Sequence, residues 1–327
     1  MADDTPRNPE LLIDGVVIRA GAGTCRVAAQ GLIYLCRLRG RLKQGRQEAQ
    51  TVVVAGDRVA LRPLPRESDA AEPAAVVEAV QPRRSVIARR AARRTGGRRA
   101  QVLMANLDQM IAVQSVAEPA PQGSLVDRLL IGAANEEVDA VLCLNKCDLA
   151  PDVAADPRWD YYEGLGVRVV RTSARSGAGL DTMQAVLRDR ISLLLGASGW
   201  ARAPSLNAIQ PGLALRTGEV TEKTGLGRHT TTHTELYPLR QGGFIADSPG
   251  LRGFDAWDLA PEELRRCFPD FEQPALACRF RSCLHRDEPD CGVKAAVARG
   301  EVPVWRHQAY LDILRDLEDR QRQSQGY

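Results

Sequence analysis

The chain has 327 residues, more than one hydrophobic core usually serves, with 44% hydrophobic and 26% charged residues, both ordinary for globular domains. No run approaches the roughly 18–20 consecutive apolar residues of a membrane span, which excludes a helical membrane protein. The net charge of +3 says little as a sum, so its distribution along the chain carries the argument.

The start, Met1-Ala2-Asp3-Asp4, is acidic and lacks the order of a secretory signal, which predicts a cytoplasmic protein whose eight cysteines stay reduced. Residues 15–18, 32–36, 51–54 and 59–61 are short strand-like runs separated by Gly-rich turns. Several such strands in under 100 residues predict a small closed barrel of the OB kind, although an SH3-like barrel has the same periodicity. Residues 66–75, with Pro and small side chains, read as a loop. Next come Arg83, Arg84, Arg89, Arg90, Arg93, Arg94, Arg98 and Arg99, within seventeen residues that hold no acid. A solvated face normally mixes both signs, so this cluster predicts a polyanion partner, RNA in particular; the plainer alternative is a loop that keeps the protein soluble.

Beyond the arginines, strand-like and helix-like segments alternate: residues 110–113, 125–135 and 140–144. That alternation predicts a parallel sheet covered on both faces. After about residue 258 a helical 261–267, a Cys/His cluster and an amphipathic 304–322 predict a third unit. The expected division is a barrel with a basic linker at 1–103, an α/β domain at 104–257 and a helical domain at 258–327.

The strand at 140–144 runs into Asn145-Lys146-Cys147-Asp148, the N-K-x-D signature that reads guanine in GTPases. An Asp148 carboxylate can accept both N1–H and the exocyclic amine of guanine, donors that adenine cannot present together. The Lys146 stem can lie along the base and Asn145 can tie neighbouring loops. The plainer alternative is that Asp148 caps the following turn. A second strand at 167–170 ends in Thr172-Ser173-Ala174, which resembles the loop whose backbone N–H groups meet guanine O6.

The phosphate elements follow the base elements in the chain. The strand at 243–246 ends in Asp247-Ser248-Pro249-Gly250, matching D-x-P-G, where Asp247 would hold Mg²⁺ through water and the Gly250 N–H would meet the γ-phosphate. Upstream, Gly225-Leu226-Gly227-Arg228-His229-Thr230-Thr231-Thr232 resembles a switch I segment. The order, together with residues 54–59, residues 105–109, the Gly-Arg-His-Thr-Thr-Thr run and Cys278-x4-Cys283-x-His285-x5-Cys291, resembles the circularly permuted GTPases of the ribosome small-subunit-dependent GTPase A family over nearly the whole chain. The resemblance implies an OB-like β-barrel, a permuted P-loop GTPase domain and a C-terminal helical zinc-binding domain. It further implies GTP hydrolysis stimulated by the 30S subunit during its late maturation. The implied partners are 16S rRNA and GTP or GDP, with no membrane, and a monomer is expected. Three cysteines and a histidine also form a complete tetrahedral Zn²⁺ set on their own, with buried free thiols as the alternative; Cys267 falls outside that set and reads as structural.

Where the family has G-x-x-G-V-G-K-S-S, this chain reads Gly196-Ala197-Ser198-Gly199-Trp200-Ala201-Arg202-Ala203-Pro204. Ala201 adds a Cβ where backbone must approach phosphate, and Arg202 replaces a compact ammonium with a bulkier fork. Ala203 lacks the hydroxyl that would ligate Mg²⁺, and Pro204 lacks an N–H. Two explanations stand: a non-hydrolysing binder or a local reading-frame error. The codons GTG-GGC-AAG-AGC encode Val-Gly-Lys-Ser, and the same bases read one place on encode Trp-Ala-Arg and then Ala. Leu251 stands where many GTPases carry the water-orienting glutamine, so the resemblance points to His229 for that role, with an unoccupied exposed histidine as the alternative. The rival from another class is a hydrolysis-deficient RNA-binding assembly factor that retains guanine recognition. A metalloenzyme on the Cys/His cluster is weak, because four protein ligands leave no open position.

Overall fold

Inward residues at every second position bring five strands together around one apolar centre. They are β1 (Ile13–Ala20), β2 (Thr24–Ala29), β3 (Leu32–Leu38), β4 (Arg58–Pro63) and β5 (Ala74–Val80). The computed structural model describes residues 12–21, 23–39, 53–65, 71–90, 100–117, 121, 123–195, 207–210, 234–247 and 259–325. The strands close as a barrel in the order β1-β2-β3-β5-β4, with β3 and β5 parallel and the other pairs antiparallel. This is the OB-like barrel expected. Val17, Val27, Cys36, Val59, Leu61 and Val77 fill it. Gln30 and Gly31, at φ 50° and 75°, make the two-residue turn whose twist suits the β2–β3 hairpin.

Two sequence expectations need correction. Residues 53 and 54 form no strand, because Val54 N–H donates to Asp57 Oδ2 at 2.8 Å as the chain turns at Gly56. At φ +89° Gly56 is in the left-handed region, and a Cβ there would overlap the Ala105 carbonyl oxygen. Residues 74 and 75, read as part of a loop, instead begin β5; small alanines conceal a strand whose Ala75 is packed in the barrel centre. The arginine-rich linker also contains structure. β6 (Val86–Arg90) and β7 (Ala100–Ala105) pair antiparallel, with Arg89 and Arg90 on β6.

Among the described residues the chain divides into two compact units, drawn from 1–108, 187–193 and 219–250, and from 109–186, 194–218 and 251–327. The first holds, besides the barrel, residues 191–193 of β11 (Ile191–Leu195), with β12 (Glu235–Pro238) and β13 (Phe244–Asp247), in the order β11-β13-β12. β11 and β13 are parallel and β12 is antiparallel to β13.

In the second unit β8 (Gln109–Ser115), β9 (Asp139–Asn145) and β10 (Arg168–Arg171) are parallel, in the order β10-β9-β8. Every residue of β8 is buried, as expected for a strand covered on both faces. α1 (Gly123–Asn135), α2 (Pro151–Ala154), α3 (Pro157–Gly164) and α4 (Leu180–Leu187) belong to this part. The same unit includes a 3-10 helix at Pro261–Cys267, then α5 (Pro269–Ala275), α6 (Gly292–Ala298) and α7 (Val304–Gln325). Phe268, Phe271, Val293, Tyr310 and Leu314 form its core with Ile131 of α1, and Cys267 is buried there, in keeping with a structural role.

A charged cluster lies inside that unit. Arg306 of α7, wholly buried, donates to Asp270 of α5 and to Asp127 of α1. Tyr162 Oη donates to Asp127 Oδ1 at 2.8 Å, and Tyr161 Oη to Asp270 Oδ2 at 3.1 Å. Burial pushes the Asp127 carboxyl above the usual range against the opposing pull of Arg306. Among the described residues no helix is long and apolar enough to cross a membrane.

Candidate guanine site and metal centre

β9 delivers Asn145 at its last position, paired in register with Ser115 of β8. The following Lys146 takes φ +62°, which a lysine adopts only where surrounding contacts hold it. Those contacts are present: Lys146 Nζ donates to the Ala117 carbonyl at 3.4 Å, and Cys147 N–H donates to the Thr172 carbonyl at 3.1 Å. The turn places Asp148 at the surface, and among the described residues it accepts no hydrogen bond. Helix α2 has Ala150 as its N-cap and no side-chain capping bond, so Asp148 does not serve as a cap.

The second loop lies alongside. Thr172 N–H donates to the Leu144 carbonyl at 2.7 Å, continuing the β9–β10 pairing past the strand end. Asn145 is 2% exposed, and its Oδ1 accepts from Thr172 Oγ1 and from the Ala174 N–H, each at 3.4 Å. Ser173 is buried, with its Oγ accepting from the Ser176 N–H at 3.1 Å. Gly179, at φ +71°, returns the loop so closely that a Cβ would overlap the Arg171 carbonyl oxygen. Asn145 therefore joins the two loops through its side chain, while the Asp148 carboxylate is exposed at the surface.

Asp247 ends β13. Gly196, Ala197, Ser198, Gly199, Trp200, Ala201, Arg202, Ala203 and Pro204 lie outside the described residues, as do His229, Thr230, Thr231, Gly250, Arg93 and Arg94. Of the arginines assigned to RNA, Arg83 is held elsewhere: its Nε and Nη2 donate to Asp57 Oδ1 and Oδ2 at 2.7 and 2.9 Å. Arg84 Nη2 donates to Asp108 Oδ1 at 2.9 Å. Asn106 completes this junction by donating from Nδ2 to the Gly56 carbonyl at 2.9 Å and accepting from the Arg84 N–H at 2.8 Å. Asp57, Asn106 and Asp108 lie in the segments 54–59 and 105–109, within which sequence alone assigns no individual roles.

Cys278, Cys283, His285 and Cys291 converge, with their ligand atoms all within 4.8 Å of one another. Cys278 Sγ lies 3.6 Å from His285 Nδ1 and 3.9 Å from Cys291 Sγ, and Cys291 Sγ lies 3.5 Å from His285 Nδ1. A tetrahedral Zn²⁺ with ~2.3 Å bonds to sulfur spaces its sulfurs about 3.8 Å apart, so the donor set and its spacing fit. Burial pushes the Cys283 thiol up to about 12 and the His285 imidazole down to about 4. Both shifts disfavour charge, and a dication would reverse the balance at sulfur. The Gly292 N–H donates to Cys278 Sγ at 3.3 Å, and His307 Nε2 meets the His285 carbonyl at 2.8 Å. These contacts hold the ligand loop in place from α6 and α7.

The profile of the RsgA GTPase family matches residues 80–257, and that of the RsgA N-terminal domain matches 14–69. A small ribosomal subunit biogenesis GTPase RsgA of Moorella thermoacetica is 39% identical over 312 residues, 95% of this chain and 99% of that protein. One of the same description from Gemmatimonas aurantiaca is 38% identical over 309 residues, 94% of this chain and 98% of that protein. The crystal structure of YjeQ from Thermotoga maritima superposes with a TM-score of 0.71 at 30% identity, covering 94% of this chain and 99% of the other. That of YloQ, described as a circularly permuted GTPase, gives 0.70 at 25% identity over 97% and 98%. Matched by the family profile over more than half its length and by these relatives at up to 39% identity over nearly the whole of both chains, the chain belongs to the RsgA GTPase family.

Proposed function

We propose that this protein is a GTPase of small ribosomal subunit biogenesis, acting on the 30S subunit and its 16S rRNA as a cytoplasmic monomer. The observation that carries the reading is Asn145, which holds the Asn145–Asp148 turn against the Ser173–Ala174 loop while leaving Asp148 unpaired among the described residues. Asp148 would accept the two guanine donors, the Lys146 stem would cover the base, and the backbone of Ser173 and Ala174 would face O6. Residues 196–204 would surround the phosphates. Asp247, Thr230, Thr231 and Gly250 would complete that end, and His229 would position water. Mg²⁺ bound with GTP would neutralise phosphate charge there. The names of the relatives favour this reading over a hydrolysis-deficient RNA-binding factor.

The functional parts are 1–103, 104–257 and 258–327. In the last, Zn²⁺ at Cys278, Cys283, His285 and Cys291 would be structural, since a closed set offers substrate no position. With Arg83 and Arg84 paired to carboxylates, the charge left for RNA phosphates falls chiefly on Arg89, Arg90, Arg93 and Arg94.

The test measures GTP and ATP binding, and GTP turnover with and without purified 30S subunits. Preferential guanine binding with subunit-stimulated turnover supports the proposal. Guanine binding with unchanged turnover points to the hydrolysis-deficient factor, and equal binding of both nucleotides overturns the base site.

A further inference from the structure

Two cysteines that play no part in the nucleotide or metal sites face each other in the barrel wall. Cys25 of β2 and Cys36 of β3 are directly opposed in the antiparallel register. Both point inward, at 3% and 0% exposure, and both are free thiols. Both belong to the one apolar cluster that fills the barrel. Opposed residues in an antiparallel pair have Cα atoms about 4.5–5.5 Å apart, inside the range of about 4.4–6.8 Å that a disulfide accepts. A bond between them therefore needs no rearrangement of the strands, only rotation of two short side chains.

We propose that Cys25 and Cys36 form a reversible disulfide across the β2–β3 hairpin, making the barrel a peroxide-responsive thiol site. Two core thiols could serve simply as small apolar groups, the role Val27 and Ala29 fill on the same strand. What distinguishes this pair is the direct opposition of two inward-facing thiols across one hairpin, which supplies an attacking and a resolving thiol in one place.

The chemistry balances with hydrogen peroxide as the oxidant. The Cys25 sulfur, as thiolate, attacks one peroxide oxygen; the O–O bond breaks, and a sulfenic acid forms as the first water leaves. The Cys36 sulfur then attacks the Cys25 sulfur, the S–O bond breaks and a second water leaves. Two thiols lose two electrons and two hydrogens in total, and the peroxide is reduced to two waters. The neighbouring Cys36 side chain holds the Cys25 thiol below its ordinary value despite burial and the Asp57 charge, which agrees with Cys25 as the attacking sulfur. Local opening of the hairpin suffices to admit so small an oxidant.

The experiment uses the full-length, zinc-loaded protein, treated with hydrogen peroxide, quenched with an alkylating agent and digested without reductant. The expected result is one cross-linked peptide pair joining Cys25 to Cys36, which disappears on reduction. In Cys36→Ala, Cys25 should instead stop at a sulfenic acid trapped by a carbon nucleophile such as dimedone. If Cys36→Ala does not fold, the wild-type peptide map decides alone. Recovery of both cysteines as alkylated thiols after the more exposed Cys147 has been oxidised overturns the proposal. So does a Cys25 joined to any cysteine other than Cys36.

Discussion

Arg306 grips Asp270 with two parallel hydrogen bonds of 3.0 Å, from Nε to Oδ2 and from Nη2 to Oδ1, with both side chains almost wholly shielded from water. The remaining Nη1 donates to Asp127, so one guanidinium joins α7, α5 and α1. Arg306→Met should cost about 3–5 kcal/mol at pH 7, because it leaves two carboxylates buried without their cation. The pH dependence has a defined sign. Asp127, already raised by burial, rises further without the guanidinium, and a raised carboxyl stabilises the fold below its unfolded value and loses that contribution as pH climbs through the folded one. The variant should therefore recover part of its deficit between pH 7 and pH 5. Thermal melting of both proteins across that interval checks it.

Asp127→Asn is the contrasting change. Tyr162 Oη and Arg306 Nη1 both donate to Oδ1, which asparagine retains, while the excess negative charge disappears. Its cost should be no more than about 1 kcal/mol, measured by denaturant unfolding.

Replacing Asp148 with Asn exchanges an acceptor pair for one acceptor and one donor. Loss of two charge-assisted hydrogen bonds should weaken GTP binding by about 10²–10³-fold. Xanthine carries a carbonyl where guanine carries its exocyclic amine, so Asp148→Asn should gain affinity for xanthosine triphosphate. Competition titration with both nucleotides measures the exchange, and an unchanged ratio removes Asp148 from base recognition.

Repair of the phosphate loop tests the chain's most unusual segment. The combined change Trp200→Val, Ala201→Gly, Arg202→Lys, Ala203→Ser and Pro204→Ser should raise Mg²⁺-dependent GTP binding and 30S-stimulated turnover together. No single reversion should suffice, since backbone room, compact charge, hydroxyl and N–H are separate requirements. Base preference should stay the same, and equal turnover of both proteins would defeat the account.

Removal of the metal should unfold the C-terminal module locally. Cys283→Ala should lower Zn²⁺ affinity at least about 100-fold and expose the Phe268–Phe271–Tyr310 packing to hydrogen exchange, because the binding free energy is part of the folding free energy. Zinc content with exchange of residues 269–314 reports both effects. A metal-free protein with full protection would assign the four ligands to packing alone.

Neutralising Arg89, Arg90, Arg93 and Arg94 should weaken 30S association and lower its logarithmic salt slope by roughly 0.7–0.9 for each phosphate no longer neutralised. Guanine selection should survive. Identical affinity and slope would move the RNA-binding surface elsewhere on the protein.

Sequence reading reaches the features whose partners are close in the chain. Asn145–Asp148 is contiguous, and the metal ligands fall within fourteen residues, so spacing alone is informative. Arg83 is harder: its carboxylate partner Asp57 is 26 residues away, and an arginine among arginines reads as free charge. The Arg306–Asp127 pair spans 179 positions, and nothing local in α1 distinguishes a buried aspartate from an exposed one. β5 is partly hidden because alanine has weak strand preference, yet Ala75 is buried in the barrel centre.

Closure of the barrel has a further consequence for what it can meet. In the cycle β1-β2-β3-β5-β4 each strand has a neighbour on both sides, so among the described residues the barrel offers no edge ladder on which another chain could be templated. Partners must therefore be read by side chains and turns instead of by borrowed main-chain hydrogen bonds, which suits a phosphate backbone better than an extended peptide. The same closure withholds the barrel's strands from edge-to-edge self-association, so whatever crowds around an assembling particle finds no sticky β-edge there.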